Sequence, residues 1–232
     1  MPLDRWLIAG RPLFAGLGDA ALDDILKEAR SSRYSKDAAI FAEGEEAHSF
    51  FLLLNGHVRV VKTTPDGNQV IARYINEGEL MGIAAAIGRT TYPATAVAAV
   101  DSVAIAWPTS AWSGLAARFP SFAGNAYANI GTRLQETQQR VVEMSTEQVE
   151  QRVAHAILRL VQQAGRKTPE GIEIDFPITR QDIAEMTGTT LHTVSRLLSA
   201  WEGEGVVAGG RQKVTVTDPH ALMLIAEQRR GK

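Results

Sequence analysis

The spacing of apolar positions changes character along this chain, and the changes divide it. Up to Pro108 the apolar residues fall in short runs broken by glycine turns. FFLLLNGHVRVVKT, residues 50–63, reads as strand, Asn55-Gly56 turn and strand, and PDGN at Pro65 to Asn68 marks a second turn before the run VIARYI. Short strands separated in this way imply a closed or rolled antiparallel sheet. After Trp112 the period becomes helical. Ala123, Tyr127, Ile130, Leu134, Thr137, Val141 and Met144 recur in steps of four and three, with Arg133, Gln135, Glu136 and Arg140 as polar neighbours. That is a heptad seam, and a helix carrying one needs a partner, supplied either by its own sheet or by a second copy of the chain.

The stretch from Thr179 to Trp201, TRQDIAEMTGTTLHTVSRLLSAW, has the layout of a helix-turn-helix. Two short helices crossing at a tight turn need a small residue at the crossing, a turn residue, and apolar anchors at helical period. Ala184 supplies the first, Gly188 the second, and Ile183, Val194 and Leu197 the third. Thr179 with Asp182 three positions on forms an N-cap pair, and Thr189 or Thr190 can cap the second helix. His192, Ser195 and Arg196 then share the face opposite the anchors, the face that would enter a major groove of duplex DNA.

Each candidate has a distinct chemistry. The Arg196 guanidinium can give two parallel hydrogen bonds to O6 and N7 of guanine, a contact worth about 1–3 kcal/mol of discrimination. Ser195 can meet a base edge or a phosphate, and His192 can donate or accept. Thr179, Arg180 and Gln181 at the start of the first helix, with Thr190 at the second, are placed for phosphate, which positions the protein without reading sequence. Beyond the motif, GVVAGGRQKVTVTD predicts a hairpin turning at Gly209 and Gly210, and Ile172, Ile174 and Phe176 alternate with Glu173 and Asp175 upstream. Flanking strands make the motif winged, with Lys213 on the wing as a further phosphate contact. Paired reading heads on a palindromic site, with half-sites about 34–36 Å apart, favour the parallel homodimer as the partner of the seam.

Composition narrows the rest. A chain of 232 residues, 45% hydrophobic, can fill two packed domains, while a net charge of -2 excludes a generally basic, sequence-blind coat for nucleic acid. Cysteine is absent, which excludes disulfides, thiolate catalysis and a cysteine-ligated iron-sulfur cluster within this chain. Arg11 and Pro12 interrupt MPLDRWLIAGRPLF before a secretory apolar core forms, and no uncharged run approaches the roughly 18 residues of a membrane span, so a cytoplasmic protein with no membrane partner is expected. No G-x-S-x-G elbow, Walker loop, H-E-x-x-H or paired-carboxylate setting is found; no enzyme is expected, and no catalytic residue or metal ligand is assigned.

LNGHVRVV, the GEL-x-G at Gly78 to Gly82, RLQ at Arg133 to Gln135, TRQDIA and TVSRLL together resemble the cyclic-AMP receptor protein and FNR (CRP/FNR) superfamily of bacterial transcription regulators over nearly the whole chain. The resemblance implies an α+β protein in three parts. These are a cyclic-nucleotide-binding-like antiparallel β-roll (jelly roll) with N-terminal helices over residues 1–120, a long dimerisation helix over 121–145, and a winged helix-turn-helix over 146–232. It further implies a homodimer that senses a small molecule in the roll and binds a palindromic, TTG-like promoter site, with RNA polymerase as a further partner. The dimer seam is expected at Tyr127, Ile130, Leu134, Thr137, Val141 and Met144. A roll of this type also serves as a regulatory subunit of enzymes, an alternative that the helix-turn-helix disfavours.

The effector is a separate matter. In nucleotide-sensing members the glycine matching Gly82 is followed by a ribose-binding glutamate, and an arginine-serine pair further on holds the cyclic phosphate; here those positions are Ile83, Pro93 and Ala94. None can serve those groups, so cyclic AMP is not expected. Thr137 matches the threonine near the adenine, but Gln138 follows it in place of serine. YPATAVAA at Tyr92 to Ala99 and LHTVSRLLS at Leu191 to Ser199 are similar to the nitric-oxide-responsive Dnr and NnrR branch of denitrification regulators, which implies haem as the sensor. Gly82, Ile83, Tyr92, Pro93 and Thr137 are the effector-pocket candidates, and another small ligand, or none, stays open. No haem ligand is assigned among His48, His57, His155, His192 and His220. FNR-type readers carry glutamate at the position of His192, so this chain should read the base beside the guanine differently.

Overall fold

A computed structural model describes residues 3–228. Residues 1, 2 and 229–232, the outer ends of the expected first and last parts, lie outside the described residues. The chain forms two compact units, Met1–Lys62 with Arg73–Glu136 and Thr63–Ala72 with Thr137–Lys232.

From the N-terminus, short 3-10 turns and α1 (Asp19–Leu26) precede β1 (Arg30–Tyr34), β2 (Ala39–Phe41), β3 (Ser49–Asn55), β4 (Val58–Thr63), β5 (Gln69–Ile75), β6 (Leu80–Met81), β7 (Thr95–Ala98) and β8 (Ser102–Pro108), all within the first unit except residues 63 and 69–72. They make two four-stranded sheets, β1-β8-β3-β6 and β2-β7-β4-β5, so the expected antiparallel roll is present. The Asn55-Gly56 turn does not join paired neighbours: it carries the chain from one sheet into the other. Gly56 is obligatory there, with φ +96° and the backbone of Asp101 so close that a Cβ would fall 2.9 Å from its carbonyl oxygen. α2 (Ala111–Arg118) follows, and then α3 (Pro120–Thr146), which starts in this unit.

The FFLLL run of β3 lacks the alternation of a half-wet strand because both of its faces are covered. Phe51 and Leu53 point into the roll with Phe41, Val58, Ile75 and Tyr92. Phe50 and Leu52 pack outward with Trp107 of β8 against Ile8, Phe14, Ile25, Trp112 and Phe122 from the N-terminal segment and the helices. Trp107, fully buried, stacks on Phe50 at 5.4 Å and gives its indole N–H to the Ile25 carbonyl at 2.7 Å. Burial of each such side chain stabilises the fold by roughly 1.5–3 kcal/mol, so the N-terminal segment is one wall of the roll's outer core.

The second unit holds α4 (Val149–Ala164), β9 (Gly165–Thr168), β10 (Gly171–Ile174), α5 (Arg180–Thr187), α6 (Leu191–Gly203), β11 (Val207–Gly210), β12 (Lys213–Val216) and α7 (Pro219–Ala226). Its sheet runs β11-β12-β10-β9. The wing hairpin turns two residues later than the glycines suggested: Gly210 pairs with Lys213, the loop is Arg211-Gln212, and Gln212 takes the left-handed φ of +58°. Gly209 lies on the strand instead, with the Glu202 carboxylate resting where a side chain would start. Among the described residues no helix is long and apolar enough to cross a membrane.

Within this unit the end of α3 is held to α4 by a buried ion pair. Arg159 Nη1 donates to both oxygens of Glu143 at 2.8 Å, and the Glu143 side chain is only 5% exposed. Arg159→Ala therefore strands a carboxylate. Breaking a fully buried pair costs about 3–5 kcal/mol. Because 26% of the Arg159 side chain is exposed, urea denaturation is expected to show a loss of about 1–3 kcal/mol. An unchanged midpoint would show that the pair contributes nothing to stability.

Candidate nucleic-acid interface and roll cavity

The helix-turn-helix is built from local signals. Asp182 N–H donates to Thr179 Oγ1 at 3.0 Å while the Asp182 carboxylate accepts from Thr179 N–H at 2.7 Å, a closed capping box at the start of α5. Gly188 ends α5 in the left-handed conformation, φ +61°, with its N–H on the Ala184 carbonyl. Thr190, rather than Thr189, caps α6 and accepts from Thr193 N–H at 3.2 Å. Ile183, Ala184 and Val194 are buried as expected, but Leu197 is only half-buried. The anchors of α6 are Val194, Leu198 and Trp201, whose spacing of four and three keeps them on one line of the helix.

That line leaves the opposite face clear. His192 and Arg196 are exposed and Ser195 is half-buried. Ser199, exposed one turn beyond Ser195, shares the face and was missed, although the same periodicity would have found it. Arg211, exposed at the tip of the wing, was missed because the turn had been placed on the glycines.

The expected phosphate contacts are less free. Arg180 pairs with Glu202 at 3.2 Å, Gln181 Nε2 donates to Glu185 at 2.9 Å, and Lys213 Nζ lies 2.6 Å from Glu173. The hydrogen bond from Lys213, aided by a lesser one from Arg166, holds the Glu173 carboxyl below its ordinary pKa against the opposing effect of burial. A phosphate at these positions must exchange with a carboxylate, which lowers the net gain of each contact.

In the first unit the roll opens into a cavity of about 210 Å³ lined by Phe41, Val60, Ile75, Met81, Gly82, Ile83, Ile87, Pro93, Ala94 and Ile130, with Arg73 and Arg133 as its charged groups. Gly82, Ile83 and Pro93 were expected there. Tyr92 and Thr137 are not among the lining residues. The Tyr92 ring stacks on Phe41 at 4.1 Å and its hydroxyl donates to the Ser49 carbonyl at 2.7 Å, so it belongs to the roll's core; that burial also raises its pKa. Thr137 follows Arg133 by one helical turn and falls in the second unit.

The two arginines, invisible as a pair in the sequence, are joined by acidic residues. Arg73 Nη2 donates to Glu79 at 2.6 Å, Arg133 Nη2 lies 3.4 Å from the same carboxylate oxygen and also donates to the Leu80 carbonyl, and Glu136 stands 3.6 Å from Arg73 Nη1. Burial, and next the neighbouring Arg73, bring the Arg133 pKa down to about 10.

Haem does not fit this cavity. Its iron takes His, Met, Cys or Tyr, and of these the described wall offers Met81 alone, with none of the five histidines lining it. A void of about 150 Å³ accepts a single benzene, so about 210 Å³ holds one ring with a small substituent rather than a four-pyrrole macrocycle.

Residues 151–225 match the family model of the Crp-like helix-turn-helix domain, and residues 31–119 that of the cyclic nucleotide-binding domain. The chain is 31% identical over 217 residues to the cyclic AMP receptor protein of Thermus thermophilus, covering 94% of this chain and 97% of the relative. It is 25% identical over 210 residues to the fumarate and nitrate reduction regulatory protein of Salmonella typhimurium, covering 90% and 83%. Among solved structures it is similar to FixK2 from Bradyrhizobium japonicum, with a TM-score of 0.76 at 23% identity over 85% of this chain and 96% of the other.

Proposed function

The chain belongs to the CRP/FNR family of DNA-binding transcription regulators, and from that premise we propose a homodimer that reads a palindromic, TTG-like promoter element and answers to a small effector in the roll. Regulators of this family bind DNA and act as dimers; the relatives are regulators, not enzymes. The observation that carries the reading is the division of α6, whose apolar line is buried while Arg196 and His192 stand exposed on the other side. Arg196 reads guanine, Ser195 and His192 the neighbouring bases, and Thr179, Arg180, Gln181, Thr190 and Lys213 meet phosphates. The parts divide as 1–120, 121–145 and 146–232, and RNA polymerase is a further partner of the DNA-bound form.

The dimer forms along α3. Tyr127, Leu134, Val141 and Met144 are 48–61% exposed there, an apolar stripe at heptad spacing. Effector binding shifts the dimer between two arrangements, one of which presents both copies of α6 to successive major grooves, so effector and operator affinities are coupled reciprocally.

Two finer effector readings are set aside on chemistry. Cyclic AMP meets Ile83, Pro93 and Ala94 where ribose and phosphate partners are needed. Nitric oxide sensing through haem, the reading that goes with the Dnr and NnrR branch, meets a cavity too small and too poor in iron ligands.

In competition binding at fixed salt, Arg196→Ala is expected to lose about 1–3 kcal/mol of discrimination at one base pair per half-site, roughly 5- to 150-fold; binding as selective as the parent's would remove Arg196 as the reader. Leu134→Glu, measured by light scattering, should give monomers, and an intact dimer would move the interface elsewhere. Reconstitution with haem is expected to give no stoichiometric Soret band, whereas a saturable band that shifts with nitric oxide would restore the haem reading.

A further inference from the structure

Resting on the reading of the roll cavity as the effector site, we propose that its ligand is a small apolar carboxylic acid of about one-ring size, whose carboxylate accepts from Arg73 in place of Glu136.

Three observations lead there. First, the wall is hydrocarbon almost throughout, and about 210 Å³ exceeds only modestly the space a benzene ring needs. Polar groups of the ligand must therefore gather at one end. Second, that end is fixed by chemistry: Pro93 and Ala94 offer no side-chain donor, while Arg73 and Arg133 line the same cavity. Third, the Arg73 guanidinium is incompletely paired. Its Nε donates to the Tyr74 carbonyl at 3.2 Å and its Nη2 to Glu79 at 2.6 Å, but Nη1 is buried with no hydrogen-bond partner, Glu136 at 3.6 Å being too far. A buried donor without an acceptor is costly, and a carboxylate beside it recovers that cost.

Charge decides for an acid over a neutral acceptor. Arg73 and Arg133 are balanced by Glu79 and Glu136 only while Glu136 stays near, and its side chain is 42% exposed. Glu136 can turn into water at little cost, leaving the buried group one positive charge in excess, which a ligand monoanion restores. A dianionic phosphate would overshoot that balance. Since Glu136 belongs to α3, the exchange also alters how that helix is held, leaving Arg133 with Glu79 as its remaining tie among these four groups.

Calorimetric titration of the full chain with benzoate, benzamide and acetate tests this. Benzoate is expected to bind once per chain and at least tenfold tighter than benzamide, with acetate showing no saturation. Arg73→Met should abolish the preference for acid over amide, and Glu136→Gln, which removes the competing carboxylate, should tighten benzoate severalfold. Equal binding of benzoate and benzamide, no saturable binding of benzoate, or a Glu136→Gln protein that binds benzoate more weakly would each overturn the proposal; the last keeps the test open where Arg73→Met fails to fold. Operator binding by the parent, with and without benzoate, separates the two readings. Acid binding that leaves operator affinity unchanged upholds the ligand and refutes its role as effector. Operator binding by a dimer that ignores benzoate refutes the ligand alone.

Discussion

One carboxylate, that of Glu79, is shared by two guanidinia, Arg73 from the end of β5 and Arg133 from α3. An arginine does not shed its charge, so a buried pair of them needs anions wherever the chain places them. The roll supplies Glu79, and α3 supplies Glu136 one turn from Arg133. The same group of charges thus fixes the middle of α3 against the strands and gives the apolar cavity its single polar end. Packing and chemistry meet at one place.

Around it, the roll is a structure with two cores. β3 serves both, turning Phe51 and Leu53 inward and Phe50 and Leu52 outward. The outward core exists only because the N-terminal segment, α1, α2 and the start of α3 cover it, with Trp107 bridging strand and helix through its hydrogen bond to Ile25. The reading head is organised differently. Its helices are short, and what sets their crossing is backbone chemistry at the ends: the Thr179 and Asp182 box, the left-handed Gly188, and the Thr190 cap.

That difference explains what the sequence disclosed. Signals confined to a few residues were readable, so the helix-turn-helix emerged with its caps, its turn and its outward face. Errors there were of one or two residues: Leu197 for Leu198, because two leucines stand side by side, and Gly209-Gly210 for Arg211-Gln212, because glycine was read as a turn residue when both glycines lie on the paired strand. Long-range chemistry was hidden. Nothing in the spacing of Arg73, Glu79 and Arg133 reveals that they meet, nor that Arg180 and Lys213 are each paired with a carboxylate distant in sequence. Tyr92 looked like a pocket residue because of its neighbours in the chain, and its place was decided by the ring of Phe41 and the backbone of Ser49.

The stripe on α3 has a thermodynamic side. Tyr127, Leu134 and Val141 each keep about half or more of their surface in water, an arrangement that a lone subunit bears as a standing cost. Whatever covers the stripe stabilises the folded chain by mass action. With a second copy as the proposed cover, resistance of the chain to unfolding depends on how much of it is present, and dilution weakens the fold of each subunit together with its hold on its neighbour.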